Sequence, residues 1–110
     1  AGEASVIGIS DGKRYRLRLR DIFYFEIVEG RSFLYCEDRV FECRQKLYEF
    51  ETLCRGSMLF RCSKSMILNT DKIACVRPSV SGRFEATLVN QEKVIISHQY
   101  VGELKRMLGI

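Results

Sequence analysis

The chain has 110 residues, 46% of them hydrophobic and 29% charged, which supplies one core, leaves no room for a second, and is too apolar for disorder. No apolar run approaches the roughly 18 residues a membrane-spanning helix needs, and the opening Ala1-Gly2-Glu3-Ala4 has neither the basic nor the apolar region of a secretory signal. The net charge of +4 is modest, so any attraction to a polyanion depends on how that charge is distributed.

Residues 1–4 read as a cloning remnant or trimmed linker, and 5–110 as the domain. Val6 to Ile9 predicts a short strand. Asp11-Gly12 turns it into a stretch where Tyr15, Leu17 and Leu19 alternate with Arg14, Arg16, Arg18 and Arg20, the period of a half-buried strand with a solvated cationic face. Ile22 to Val28, apolar and aromatic apart from Glu26, predicts a well-buried strand. Glu29-Gly30-Arg31 turns the chain, Phe33 to Cys36 returns, Glu37-Asp38 turns again, and Arg39 to Arg44 continues the meander. The period then changes: Leu47, Phe50, Leu53 and Cys54 recur every three to four residues with Gly56 as a stop, so Lys46 to Arg55 is an expected amphipathic helix. Strands resume around Phe60 and over Ile73 to Arg77, Arg83 to Val89 and Val94 to Ile96. Ser79-Val80-Ser81-Gly82 and Asn90-Gln91 supply the turns, and Ser97 is placed to cap a last helix, Gln99 to Leu108, ending at Gly109. The expected fold class is mainly β, with antiparallel strands in stacked small sheets, one internal helix and a C-terminal helix. No two neighbouring helices share a short turn, which excludes a helix-turn-helix.

Charge is uneven along this order. Residues 11–20 carry Lys13, Arg14, Arg16, Arg18 and Arg20 against Asp11; residues 55–77 carry Arg55, Arg61, Lys64, Lys72 and Arg77 against Asp71. Each segment nets +4 and the remainder sums to −4, a distribution that would make one polyanion-facing surface if folding brings both segments to the same side. Five cysteines (Cys36, Cys43, Cys54, Cys62, Cys75) with no Cys-x-x-Cys pair and a single histidine do not build a zinc site. Reduced thiols in a cytoplasmic protein are the simpler account, and oxidation of Cys62 is a route by which binding could change. No metal or other cofactor is expected.

The densest chemistry lies in Leu59-Phe60-Arg61-Cys62-Ser63-Lys64-Ser65-Met66-Ile67-Leu68-Asn69. Short polar donors stand between two apolar anchors, the arrangement needed where phosphates and base edges are met together. The segment resembles the signature of LytTR-type DNA-binding domains, Phe-x-Arg-x-His-Arg-Ser-apolar-apolar-x-Asn followed by an Ile-containing strand; Phe60, Arg61, Ser65, Met66, Ile67, Asn69 and Ile73 carry the likeness. Leu19-Arg20-Asp21-Ile22-Phe23-Tyr24-Phe25-Glu26 is similar to the family's strand opening, Leu47, Phe50 and Leu53 to its internal helix, and Val94-Ile95-Ile96-Ser97-His98-Gln99-Tyr100 to its closing segment.

The resemblance implies an effector domain of a bacterial transcriptional regulator, of response-regulator or two-component type. Such a domain binds double-stranded DNA sequence-specifically through loops in the major groove. It further implies a second copy on tandem half-sites and an N-terminal receiver or sensor domain outside this chain. By the same resemblance the base-contacting residues are Arg31 (with Gly30 the alternative), Lys64 and His98. Ser63 and Lys64 replace the family's histidine and arginine, and neutral His98 offers one donor and one acceptor where arginine would fork onto guanine. Arg61, Ser63, Ser65 and Lys72 are expected at phosphates. Asn69 reads as structural, its amide satisfying nearby backbone in a turn. Catalysis is not expected: Ser97 and His98 are adjacent and do not face one another, and no phosphate-cradling glycine loop, HExxH or paired-carboxylate motif occurs. The open alternative is a protein-interaction or dimerisation module without DNA binding.

Overall fold

Two turn dipeptides set the strand register. In the computed structural model, which describes residues 4–110, Asp11 (φ 50°) with Gly12 (φ 74°) and Glu29 (φ 51°) with Gly30 (φ 77°) are left-handed pairs. Paired positive φ is what fits a two-residue hairpin to the right-handed twist of its strands. The first turn joins β1 (Ser5–Ser10) to β2 (Lys13–Arg18), and the second joins β3 (Tyr24–Val28) to β4 (Arg31–Tyr35). Arg31, expected in the turn, is instead the first residue of β4 opposite Val28, because two residues suffice to reverse the chain. The expected remnant or linker at 1–4 lies, for residues 1–3, outside the described residues; the Ala4 carbonyl accepts from Leu19 N at 3.2 Å.

The chain continues through β5 (Val40–Cys43), α1 (Leu47–Leu53), β6 (Leu59–Arg61) and β7 (Met66–Asn69). Then come β8 (Ile73–Pro78), β9 (Phe84–Leu88), β10 (Lys93–Ile96) and α2 (Val101–Leu108). The strands form two sheets, ordered β2-β1-β5-β4-β3-β7-β6 and β10-β9-β8, and every pairing is antiparallel. The mainly β fold with one internal and one C-terminal helix is as expected, although the early strands merge into a single seven-stranded sheet. There the β1–β2 ribbon is attached to β5 through the pair Ile9–Glu42.

Side-chain alternation splits the large sheet between two cores. Phe25, Leu34 and Ile67 point to one face, where they meet Ile22, Phe41, Leu59 and, from α1, Phe50; the Phe25 and Phe50 rings stack at 4.6 Å. Tyr24, Phe60, Cys62 and Leu68 point to the other face, against Ala86, Leu88, Val94 and Ile96 of the small sheet and Val101 and Leu104 of α2. Tyr24 stacks on Tyr35 at 4.2 Å and donates to Glu92 at 3.0 Å, pinning the β9–β10 turn to the large sheet.

Element ends differ from expectation for local reasons. The arginine alternation stops at Arg18, because Leu19–Asp21 closes into a 3₁₀ turn that buries Leu19. The arginines of β2 are exposed while Tyr15 and Leu17 are half-buried, the solvated cationic face read from their spacing. α1 starts after Lys46, whose N–H donates to Glu49 Oε1 at 2.7 Å. Ser97 makes no side-chain cap; a 3₁₀ turn over His98–Tyr100 precedes α2, held by Tyr100 N donating to the Ser97 carbonyl at 2.9 Å.

Candidate functional site

The β6–β7 loop is held by its own side chains. Arg61, at the end of β6, donates from Nε to the Ser63 carbonyl and from Nη2 to the Lys64 carbonyl, each at 2.7 Å. Its Nη1 stands 3.4 Å from Glu51 of α1, and its guanidinium lies over the Tyr100 ring at 5.9 Å. Ser63 Oγ accepts from Ser65 N at 3.2 Å, and Ile27 N donates to the Ser65 carbonyl at 2.9 Å. With its backbone tied at both ends, the loop presents the Lys64 side chain to solvent.

A second tie brings in the closing segment. Ser97 N donates to the Cys62 carbonyl at 2.9 Å, which sets the start of the C-terminal helical segment against the loop. His98 is exposed there, and its ring rests on the β8–β9 turn: a Cβ on Gly82 (φ +72°) would come within 2.6 Å of His98 Cδ2. Lys64, Ser81, Arg83, Ser97, His98 and Gln99 together line a shallow depression of about 370 Å³. No carboxylate is among those residues, so the depression has cationic walls and short hydroxyl and amide donors, a lining suited to an anion with polar edges.

The other expected site residues fall as follows. Arg31 is at the same end of the large sheet as the loop, since β3 ends there at Val28 and β7 begins there at Met66. It does not line the depression. Its guanidinium is forked onto Glu42, Nε–Oε2 at 3.0 Å and Nη2–Oε1 at 2.7 Å, and lies over Phe33 at 5.4 Å. That hydrogen-bonded pairing raises the Arg31 pKa and lowers that of Glu42, but both groups are solvated and such pairs exchange readily for another anion. Ser63 and Ser65 flank Lys64 in the loop. Lys72 is at the opposite end of β7, in the 3₁₀ turn Thr70–Lys72, with Nζ 5.1 Å from the Phe23 ring centre; the structure does not bring it to the loop. Asn69 is buried and structural, its amide donating to the Ile22 carbonyl and accepting from Asp71 N, both at 2.9 Å.

The two basic segments are also parted in strand order, since β2 and β6 are the two edge strands of the large sheet. All five cysteines are free. Cys62 is fully buried, and burial pushes its thiol up to about 12, so it stays protonated and unreactive near neutrality. Among the described residues no group of three or more His, Cys, Asp or Glu is placed to hold a metal ion, and no helix is long and apolar enough to cross a membrane. Sequence reasoning missed Ser81, Arg83, Ser97 and Gln99 as lining residues. Only the cation following the Ser-Val-Ser-Gly turn could have drawn attention to Arg83.

Comparison with known proteins agrees with this architecture. The sequence model of the LytTr DNA-binding domain family matches residues 12–109. A curated relative, the sensory transduction protein LytT of Enterococcus faecalis, is 26% identical over 96 residues; the match covers 87% of this chain and 40% of that protein. Among solved structures, a LytTr DNA-binding domain from Bacillus cereus superposes with a TM-score of 0.90 at 23% identity, covering 99% of this chain and 100% of that one. At that identity the likeness is one of fold.

Proposed function

This chain belongs to the LytTr DNA-binding domain family and is a DNA-binding domain, and we propose that it reads double-stranded DNA sequence-specifically by inserting loops into the major groove. The observation that carries this reading is the shared depression: Lys64 and His98, far apart in sequence, line it together with Arg83 and without a carboxylate. The major groove is about 12 Å wide, so a loop held as firmly as Cys62–Ser65 can enter it where other DNA readers use a helix.

In this reading Lys64 and His98 meet base edges. Arg31, at the same end of the sheet, exchanges Glu42 for DNA. Ser63 and Ser65 meet flanking phosphates. Arg61, expected at a phosphate, has another part in this reading: with Nε and Nη2 engaged by loop carbonyls, it shapes the loop that others present. Lys72 reaches a phosphate only on DNA that extends past the far end of β7. The domain serves as the effector of a bacterial transcriptional regulator and binds without catalysis. It works beside an N-terminal receiver or sensor domain, with a second copy on a tandem half-site; the chain spans 40% of the length of its LytT relative.

Selection from a random duplex library at two salt concentrations tests the reading. Enrichment of a short motif, with affinity falling as salt rises, is the expected result. Salt-sensitive binding without enrichment would remove sequence readout. Absence of binding at both concentrations would favour a protein-interaction module instead.

A further inference from the structure

The small sheet contributes to the depression a cation that belongs to no motif. Arg83 directly follows Gly82 at the end of the β8–β9 turn, is exposed, and lines the depression beside Lys64 and His98. Its backbone is fixed: its N–H donates to the Val80 carbonyl at 3.2 Å and its carbonyl accepts from Ser79 N at 2.8 Å. The neighbouring Gly82 is packed against the His98 ring, so Arg83 and His98 are held in a set relation. Among the described residues the Arg83 guanidinium has no hydrogen-bond or ion-pair partner. Three other arginines are engaged: Arg77 on the same hairpin holds Glu85 at 2.9 Å, Arg31 holds Glu42, and Arg61 holds the loop. An unpaired guanidinium on a fixed backbone beside a lysine makes a local positive field that attracts a polyanion. Its planar fork suits a phosphate's oxygens.

We propose that Arg83 is a further DNA-contacting residue, gripping the backbone phosphate next to the base that His98 meets. This rests on the DNA reading above. It gives the β8–β9 hairpin a role in binding: the hairpin fixes how the duplex lies across the depression, the task that phosphate contacts perform in any sequence-reading interface.

The test uses the duplex enriched by the wild-type chain, with binding followed by fluorescence anisotropy over a series of salt concentrations, for wild type, Arg83→Ala, Arg83→Lys and Arg77→Ala. Loss of one phosphate contact should flatten the log–log salt dependence by about 0.9 and weaken binding on the order of fivefold near physiological salt. The loss should be equal for enriched and scrambled duplexes. Lysine should restore most of the slope, and Arg77→Ala should bind as wild type. An unchanged slope in Arg83→Ala, with wild type still salt-dependent, would overturn the proposal while leaving the DNA reading intact. A loss confined to one base position would overturn the phosphate assignment in favour of base contact. Wild type that binds no duplex would end both readings, and is distinguishable from either result. Unaltered thermal unfolding of the variants would show that a loss of binding is not a loss of fold.

Discussion

At the scale of the residue, the proposed interface turns on how two side chains are held. Lys64 stands on a loop whose backbone is tied on both sides, and His98 leans on a glycine where an added Cβ would be strained and would push against its ring. Replacing either Lys64 or His98 with alanine should cost roughly 1–3 kcal/mol on the enriched duplex and relax preference at a different base position in each case. Competition against single-base variants of the site would show it, and unchanged preference in both variants would remove the base-reading assignment. Gly82→Ala tests the support instead of the reader. A Cβ at φ +72° is strained and would lie 2.6 Å from His98 Cδ2, so stability should fall by about 1 kcal/mol. Discrimination at the base assigned to His98 should fade while that assigned to Lys64 persists. Lys64 and His98 could be singled out as candidates from sequence because they sit within recognisable motifs. Arg83 could not, because the residues that share its depression come from β6–β7 and from the segment before α2, and nothing in its own neighbourhood records them. The placement of Lys72 was not legible either: it is close to the signature in sequence, but a whole strand carries it to the other end of the sheet.

At the scale of the element, Arg61 makes the β6–β7 loop a small rigid unit. Arg61→Ala removes both carbonyl partners at once, so the Ser65 amide should exchange faster and binding should weaken on every sequence alike. Arg61→Lys should not rescue either property, since one ammonium cannot reproduce a fork onto two carbonyls. Hydrogen exchange of the loop, read beside anisotropy, checks both; an unaltered loop in Arg61→Ala would make the clamp incidental. Local elements were readable from spacing: the Asp11-Gly12 turn, the Arg/Leu alternation and the helix around Phe50 all depend on neighbours within a few residues. Their ends were less so. Leu19 leaves its strand for the core, and the 3₁₀ turn at His98–Tyr100 replaces the first turn of the expected last helix, because tertiary burial and the Ser97–Cys62 bond decide there. The sheet order was hidden as well. Nothing local tells β7 to pair with β3 and not with a later strand.

At the scale of the whole molecule, buried thiols tie stability to pH. Burial raises Cys36 and Cys43 to about 11 and Cys54 and Cys62 to about 12, from an ordinary value of 9.0. Unfolding exposes them, so the unfolded chain ionises first. The thiols' contribution is therefore complete below about pH 9 and is lost as pH climbs through 11 and 12. Tyr24, raised by burial and by its bond to Glu92, acts in the same direction at still higher pH. Urea midpoints under reducing conditions should hold steady through neutrality and fall on the alkaline side; a midpoint flat across that range would mean the unfolded chain keeps its thiols shielded. The division into two cores has a further reach. Lys64 is carried by the large sheet, whereas His98 and Arg83 come from the segment before α2 and from the small sheet, and the second core, which includes Leu68 of the one sheet and Leu88 and Ile96 of the other, lies between those supports. The spacing of these three side chains is thus set by aliphatic volume together with the Ser97–Cys62 bond. If these side chains read DNA as proposed, trimming or enlarging one of those buried side chains should retune which base spacings fit, and a domain built this way could then drift to a new operator without changing any residue that touches DNA.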